Sequence, residues 1–102
     1  MPGKQQRFKN PELIELSMML KALAHPSRIA IMYLISNSKK KLTVKCIYNE
    51  LKMSQPVISR HLGILKNCGL LERSTDDGHT YYTVRTENKT AKQIVDCFAR
   101  KK

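Results

Sequence analysis

Residues 51–71 read LKMSQPVISRHLGILKNCGLL, and this stretch decides the fold. Ser54 has the side chain of a helix N-cap, an oxygen able to accept a backbone N–H of the first turn. Gly69 can adopt the left-handed backbone at which helices stop. Between them the spacing predicts a helix with two unlike faces. At about 100° per residue, Val57, Ile58, Leu62, Ile64 and Leu65 fall on one side. Pro56, Ser59, Arg60, Gly63, Lys66 and Asn67 fall on the other. That second face is short, flat, polar and positive. It suits a helix lying in the major groove of DNA, where small polar side chains and Arg reach base edges. An ordinary amphipathic surface helix shares the periodicity, so the flanking sequence has to decide.

Upstream, Thr43 caps a helix expected over residues 44–52, with Val44, Ile47, Tyr48 and Leu51 turned inward. Lys52-Met53 leaves room only for a tight turn, and two helices joined this closely make a helix-turn-helix. Downstream, residues 71–75 pair with residues 80–84 around Asp76-Asp77-Gly78-His79. Asp-Gly is a strong hairpin signal, because glycine accepts positive φ. A hairpin directly after a helix-turn-helix is a wing.

The remainder extends this plan. Asn10-Pro11 starts a helix over residues 11–24. Its apolar residues, Leu13, Ile14, Leu16, Met18, Met19, Leu20 and Leu23, nearly encircle it, so it needs cover on more than one side. A second subunit is the expected cover; a central core helix of a monomer is the alternative. His25-Pro26 breaks the chain, and the helix over 26–36, apolar all round, is expected at the buried centre. Residues 37–41 form a loop whose Lys run reads as a solvated turn. A last helix over 88–100 carries the stripe Ala91, Ile94, Val95 and Phe98. Residues 1–9 read as a flexible basic arm. The expected fold is therefore mainly α with a β-hairpin: one winged helix-turn-helix domain over 10–102, four helices, two strands and a fifth helix, homodimeric.

Composition narrows the function. The chain has 102 residues, the size of one domain, with 19 Lys plus Arg against 8 Asp plus Glu and a formal net charge of +11. A domain that basic repels itself unless an anionic partner uses the charge, and nucleic acid is the commonest such partner. The basic residues are dispersed and not gathered on one amphipathic helix, which argues against a membrane-surface role. The opening MPGKQQRFKN has no apolar signal region, and the longest apolar run, residues 29–35, is far short of the ~18 residues that span a bilayer. A cytoplasmic location is expected. Cys46, Cys68 and Cys97 are widely spaced and form no CxxC or Cys/His cluster, so neither a disulfide scaffold nor a zinc site is read from them. No nucleophile–base spacing, paired carboxylates or phosphate-cradling glycine loop marks an enzyme, and no cofactor is implied.

Two motifs give the chain a resemblance to the ArsR/SmtB family of bacterial winged-helix repressors over about residues 13–98. LKALAHPSRIAIMYLI (20–35) resembles the start of that family's second helix, with His25-Pro26 followed by Arg28. LKMSQPVISRHLGILKNCGLLERSTDDGHTYYTV (51–84) resembles its recognition helix and wing. The resemblance implies a homodimer joined through its first and last helices, binding to a palindromic operator on double-stranded DNA, repression, and release by a signal. Carried over, the DNA-reading positions are Ser54, Gln55, Val57, Ser59 and Arg60, with Arg73 and His79 from the wing. Helical angles agree for Ser59 and Arg60, place Gln55 at the edge of the polar face, and put Val57 on the opposite side. Lys66, with Lys4, Arg7, Lys9 and Arg73, is available to neutralise phosphates. Gly63 on the groove side would let a DNA backbone come close. The interface positions are Leu13, Leu16, Met19, Leu20, Ile94 and Phe98.

Sensing chemistry departs from the family. Its arsenic-type members carry cysteines at positions matching Thr43 and Lys45, and its zinc-type members use Asp/His pairs at positions roughly matching Thr86, Asn88, Ala99 and Lys102. None of these residues is a fit zinc ligand set, so no metal is expected at either site. Sulfur-sensing members use a second-helix cysteine where this chain has Tyr33. His61 sits mid-way along the apolar face and reads as a hydrogen-bonded core residue, and His25 as the closure of a turn. Cys68 is expected to be buried. Cys46 is expected to be exposed beside Lys45, and Cys97 near the subunit contact, so a thiol or redox switch through Cys46 or Cys97 is an alternative mode of regulation. A protein-interaction winged helix that binds no DNA is a further alternative.

Overall fold

The computed structural model describes residues 10–98. They run α1 (Pro11–Leu23), α2 (Pro26–Ser36), β1 (Leu42–Thr43), α3 (Val44–Leu51), α4 (Gln55–Asn67), β2 (Leu71–Asp76), β3 (His79–Val84) and α5 (Lys89–Asp96). Side chains set most of the helix starts. The backbone N–H of Glu12 donates to Asn10 Oδ1 at 2.8 Å, that of Ser27 to His25 Nδ1 at 3.2 Å, that of Cys46 to Thr43 Oγ1 at 3.1 Å and that of Ala91 to Asn88 Oδ1 at 2.9 Å. Each such cap stabilises its helix by about 1 kcal/mol. Ser54 is the exception: it occupies the N-cap of α4 but its side chain makes no cap bond, contrary to expectation.

The core collects Met19 and Leu23 from α1, Ile31, Met32 and Ile35 from α2, Ile47 from α3, and Ile58, Leu62 and Leu65 from α4. Leu70, Leu71 and Tyr82 close it from the wing side, and Ala91 and Val95 from α5. Burying one such large side chain stabilises by about 1.5–3 kcal/mol. Two left-handed residues set the angle of α4. Lys52 (φ 56°) ends α3 and lets the N–H of Met53 donate to the Tyr48 carbonyl at 3.1 Å. Gly69 (φ 95°) ends α4, and a Cβ there would stand 3.2 Å from Met19 Cε.

The sheet departs from the expected hairpin. It has three strands in the order β1-β3-β2, all antiparallel, with Leu42↔Tyr82 and Thr43↔Tyr81 joining β1 to the wing. The hairpin is also longer than expected, with Asp76↔His79 as its last pair and a tight turn at Asp77 (φ 53°) and Gly78 (φ 81°). Positive φ at both central residues is the type I′ pattern, whose twist matches that of the strands. Because β1 runs directly into α3, the sheet ties the wing to the helix-turn-helix.

Other expectations need correction. α2 is not buried all round, since Ile29 and Tyr33 remain exposed. Met19, expected at a subunit interface, has no exposed surface and belongs to the core. Val57, assigned by angle to the apolar face, is 41% exposed. His61, read as a core residue, is 8% exposed. Cys68 is only partly buried, its Sγ donating to the Leu65 carbonyl at 3.3 Å. The described part of the last helix ends at Asp96. The arm over 1–9, with Lys4, Arg7 and Lys9, lies outside the described residues, as do Ala99 and Lys102.

Candidate nucleic-acid interface

On its outer side α4 exposes Gln55, Pro56, Val57, Ser59, Arg60, Lys66 and Asn67. Ile58, His61, Leu62 and Leu65 point inward. Strand alternation sends Arg73 and Thr80 to the same face of the wing as the buried Tyr82. The result is one open groove between α4 and the wing, about 590 Å³ in volume, lined by Gln55, Ser59 and Gly63 from α4, Arg73, His79 and Thr80 from the wing, and Thr43, Val44 and Lys45 from the start of α3. Four of the expected residues, Gln55, Ser59, Arg73 and His79, thus meet in one groove. Ser54, Val57 and Arg60 lie on the adjoining exposed surface of α4, and Lys66 lines a separate groove near the end of that helix with Ile14, Glu15 and Met18. Thr43, Lys45 and Thr80 were not singled out as groove residues. For Thr80 alternation with Tyr82 was a usable signal; for Thr43 and Lys45 the placement depends on β1.

The electrostatics favour an anion. Among the described residues the ion pairs are Lys41–Asp76, Arg85–Glu87 and Lys92–Asp96, so Arg60, Lys66 and Arg73 remain unpaired. Lys41 also stands over the Tyr81 ring at 4.8 Å, on the outer face of the sheet. Gly63 keeps the groove floor flat: a Cβ there would meet nothing within 4 Å. Glycine inside a helix costs about 0.5–1 kcal/mol relative to alanine, and the packing of the chain itself does not require it.

A buried polar tie sets the position of α4. Arg28 Nε donates to His61 Nδ1 at 3.1 Å, and the same guanidinium donates to the Ala22 carbonyl at 3.0 Å. One side chain of α2 therefore joins the end of α1 to the middle of α4. The His25 ring meets that of His61 edge-on at 4.8 Å. Burial, with the nearby charges of His25, Arg28 and Arg60, holds the His61 pKa below its ordinary 6.5. The folded state therefore binds the proton more weakly than the unfolded chain. The contribution of His61 to stability is complete above about pH 6.5 and declines as pH falls from there toward the lowered value. Thermal unfolding followed by circular dichroism is expected to show a midpoint that falls as the pH drops below about 6.5, and His61→Gln to flatten that part of the profile.

The thiols differ in character. Cys46 is exposed, and hydrogen bonding with Thr43, aided by the charges of Lys40 and Lys45, lowers its pKa. Cys97 is exposed as well, and burial raises the pKa of Cys68. Thr43 and Asn88, two of the positions compared with metal ligands, act as helix caps. Among the described residues no three His, Cys, Asp or Glu side chains converge as a metal site would require.

Along its exposed side α1 presents Leu13, Ile14, Met18 and Leu20, each about half exposed. Leu16, Ile94 and Phe98 are half-buried. Asn88 Nδ2 donates to Glu15 Oε2 at 2.9 Å and fixes α5 beside α1. No described helix is long and apolar enough to cross a membrane.

Comparison with known proteins agrees with this geometry. Residues 25–73 match the family model described as bacterial regulatory protein, arsR family. An uncharacterized HTH-type transcriptional regulator of Methanocaldococcus jannaschii is 36% identical over 77 residues, covering 74% of this chain and 85% of that one. The biofilm growth-associated repressor of Agrobacterium fabrum is 27% identical over 85 residues, 83% of this chain and 70% of its own. Among solved structures, the homodimeric winged helix-turn-helix DNA-binding domain of a Mycobacterium bovis protein superposes with a TM-score of 0.74 at 23% identity, over 88% of this chain and 80% of that chain.

Proposed function

The chain belongs to the arsR family of bacterial regulatory proteins and is a DNA-binding transcriptional regulator, and on that premise we propose that it is a cytoplasmic homodimer that represses transcription by occupying a palindromic operator. The observation that carries the reading is the groove in which Gln55 and Ser59 of α4 face Arg73 and His79 of the wing, on a chain of net charge +11. Gln55, Ser59 and Arg60, with Ser54 and Val57, meet base edges and nearby phosphates. Arg73, His79 and Lys66 hold the flanking backbone. The apolar strip of α1, continued by Ile94 and Phe98, is the face that a second copy covers. The repressor activity named for the Agrobacterium relative and the homodimer named for the Mycobacterium domain support the same assignment. Two copies of α4 related by a two-fold axis enter successive major grooves about 34–36 Å apart.

Selection from a random duplex pool with the purified full chain tests this. Paired, inverted half-sites one helical turn apart are expected. A dimer making ~6–10 phosphate contacts is expected to lose about 10³–10⁵ in affinity between about 50 and 200 mM salt. A protein with no preference among duplex sequences at low salt does not have this function. A second reading, regulation through thiol chemistry, draws on the exposure of Cys46 and Cys97 and the lowered pKa of Cys46. It requires oxidant to release operator from the wild type and not from Cys46→Ser or Cys97→Ser.

A further inference from the structure

The first turn of α4 carries one aliphatic side chain that the fold does not use. Val57 is 41% exposed, whereas Ile58 beside it is fully buried. The buried side of α4 is formed by Ile58, His61, Leu62 and Leu65, without Val57. A β-branched residue is also a poor choice for helix formation, because it loses side-chain freedom against the preceding turn. Packing covers only part of this side chain, and helix propensity does not favour it. Its exposed neighbours on the same helix, Gln55, Ser59 and Arg60, offer hydrogen bonds, and Val57 offers none.

Within a major groove, the feature that an aliphatic group can recognise is the C5 methyl of thymine. Every other major-groove edge presents donors and acceptors that valine would desolvate without replacing. We propose that Val57 is a specificity-determining residue that reads a thymine methyl in each half-site. This rests on the DNA-binding reading above and adds to it the identity of one base. Val57 makes the operator depend on a methyl group, while Gln55, Ser59 and Arg60 impose hydrogen-bonding requirements on neighbouring positions.

The test uses the duplex selected by the wild-type chain, with each thymine replaced in turn by deoxyuridine. This exchange removes the methyl and leaves every Watson–Crick and major-groove hydrogen-bonding group in place. One thymine per half-site is expected at which the exchange weakens wild-type binding about fourfold, the worth of one buried methyl-sized group, and about fifteenfold when both half-sites are changed. Val57→Ala is expected to bind the thymine and deoxyuridine duplexes nearly alike, while the unchanged helical spectrum of this surface variant shows that it folds. Val57→Thr, which keeps a methyl at nearly the same volume, is expected to retain part of the discrimination. Equal binding of all deoxyuridine duplexes by the wild type overturns the proposal, as does full methyl dependence in Val57→Ala. Failure to select any sequence is a different result and removes the DNA-binding reading itself.

Discussion

Leu20→Glu is expected to give a folded monomer that has lost nearly all operator affinity, whereas Met19→Glu, one residue earlier, is expected to give no folded protein. The two side chains leave α1 in different directions. Leu20 is 52% exposed in the single chain, so a carboxylate there stays hydrated and the domain keeps its core. In the dimer the same carboxylate would be enclosed among Leu13, Leu16 and their counterparts, without a partner. An unpaired buried charge costs several kcal/mol, and two copies face each other across the axis. Met19 has no exposed surface and packs beside Gly69, where the Glu15 carboxylate already stands and already takes the Asn88 amide, so a second carboxylate there meets a like charge. The cost there falls on folding, against a total stability of about 5–15 kcal/mol for a domain. Sedimentation and circular dichroism separate the outcomes. Operator binding by the Leu20→Glu monomer is expected to show about half the wild-type slope of log affinity against log salt, because only half of the phosphate contacts remain. A Leu20→Glu dimer would remove α1 from the interface.

Arg60→Ala is expected to weaken specific binding by about 1–3 kcal/mol per half-site and to relax the choice of base at one position. Arg60 lies on the exposed side of α4, and none of the ion pairs among the described residues involves it. Its guanidinium is therefore free to bind guanine O6 and N7 together through a planar fork, a geometry that the single ammonium of lysine copies only in part. Arg60→Lys is accordingly expected to recover the salt dependence and only part of the base preference. Competition between selected and scrambled duplexes measures the difference. An equal loss on both sequences assigns Arg60 to phosphate.

The elements that could be read from residues alone were those with a local cause. Asn10-Pro11 and Thr43 announce helix starts through the atoms that later cap them, and Asp77-Gly78 announces its turn through the backbone angles it tolerates. What escaped is non-local. Leu42-Thr43 is two residues long and has no periodicity to detect; it is a strand only because β3 lies alongside. The encircling apolar residues of α1 show that the helix is covered on several sides, and angle alone does not tell a core residue such as Met19 from a surface one such as Leu20. Val57 was misplaced for a related reason. Counting apolar residues assigns it to the core, but it stands at the margin of the apolar side and is 41% exposed. The groove residues supplied by α4 were legible from its polar face, whereas Thr43 and Lys45 join them only through the third strand.

That third strand ends where the wing still has length to run. Pairing with β1 stops at Tyr81, while the hairpin continues through Thr80 and His79 to its turn at Asp77-Gly78. The outer part of the wing is thus a two-stranded cantilever on a three-stranded base. Residues inserted in register pairs beyond Thr75 and Thr80 would extend its reach along a DNA duplex without shifting α3 or α4. Relatives that differ there by even-numbered insertions would keep the same reading helix and contact a wider stretch of operator.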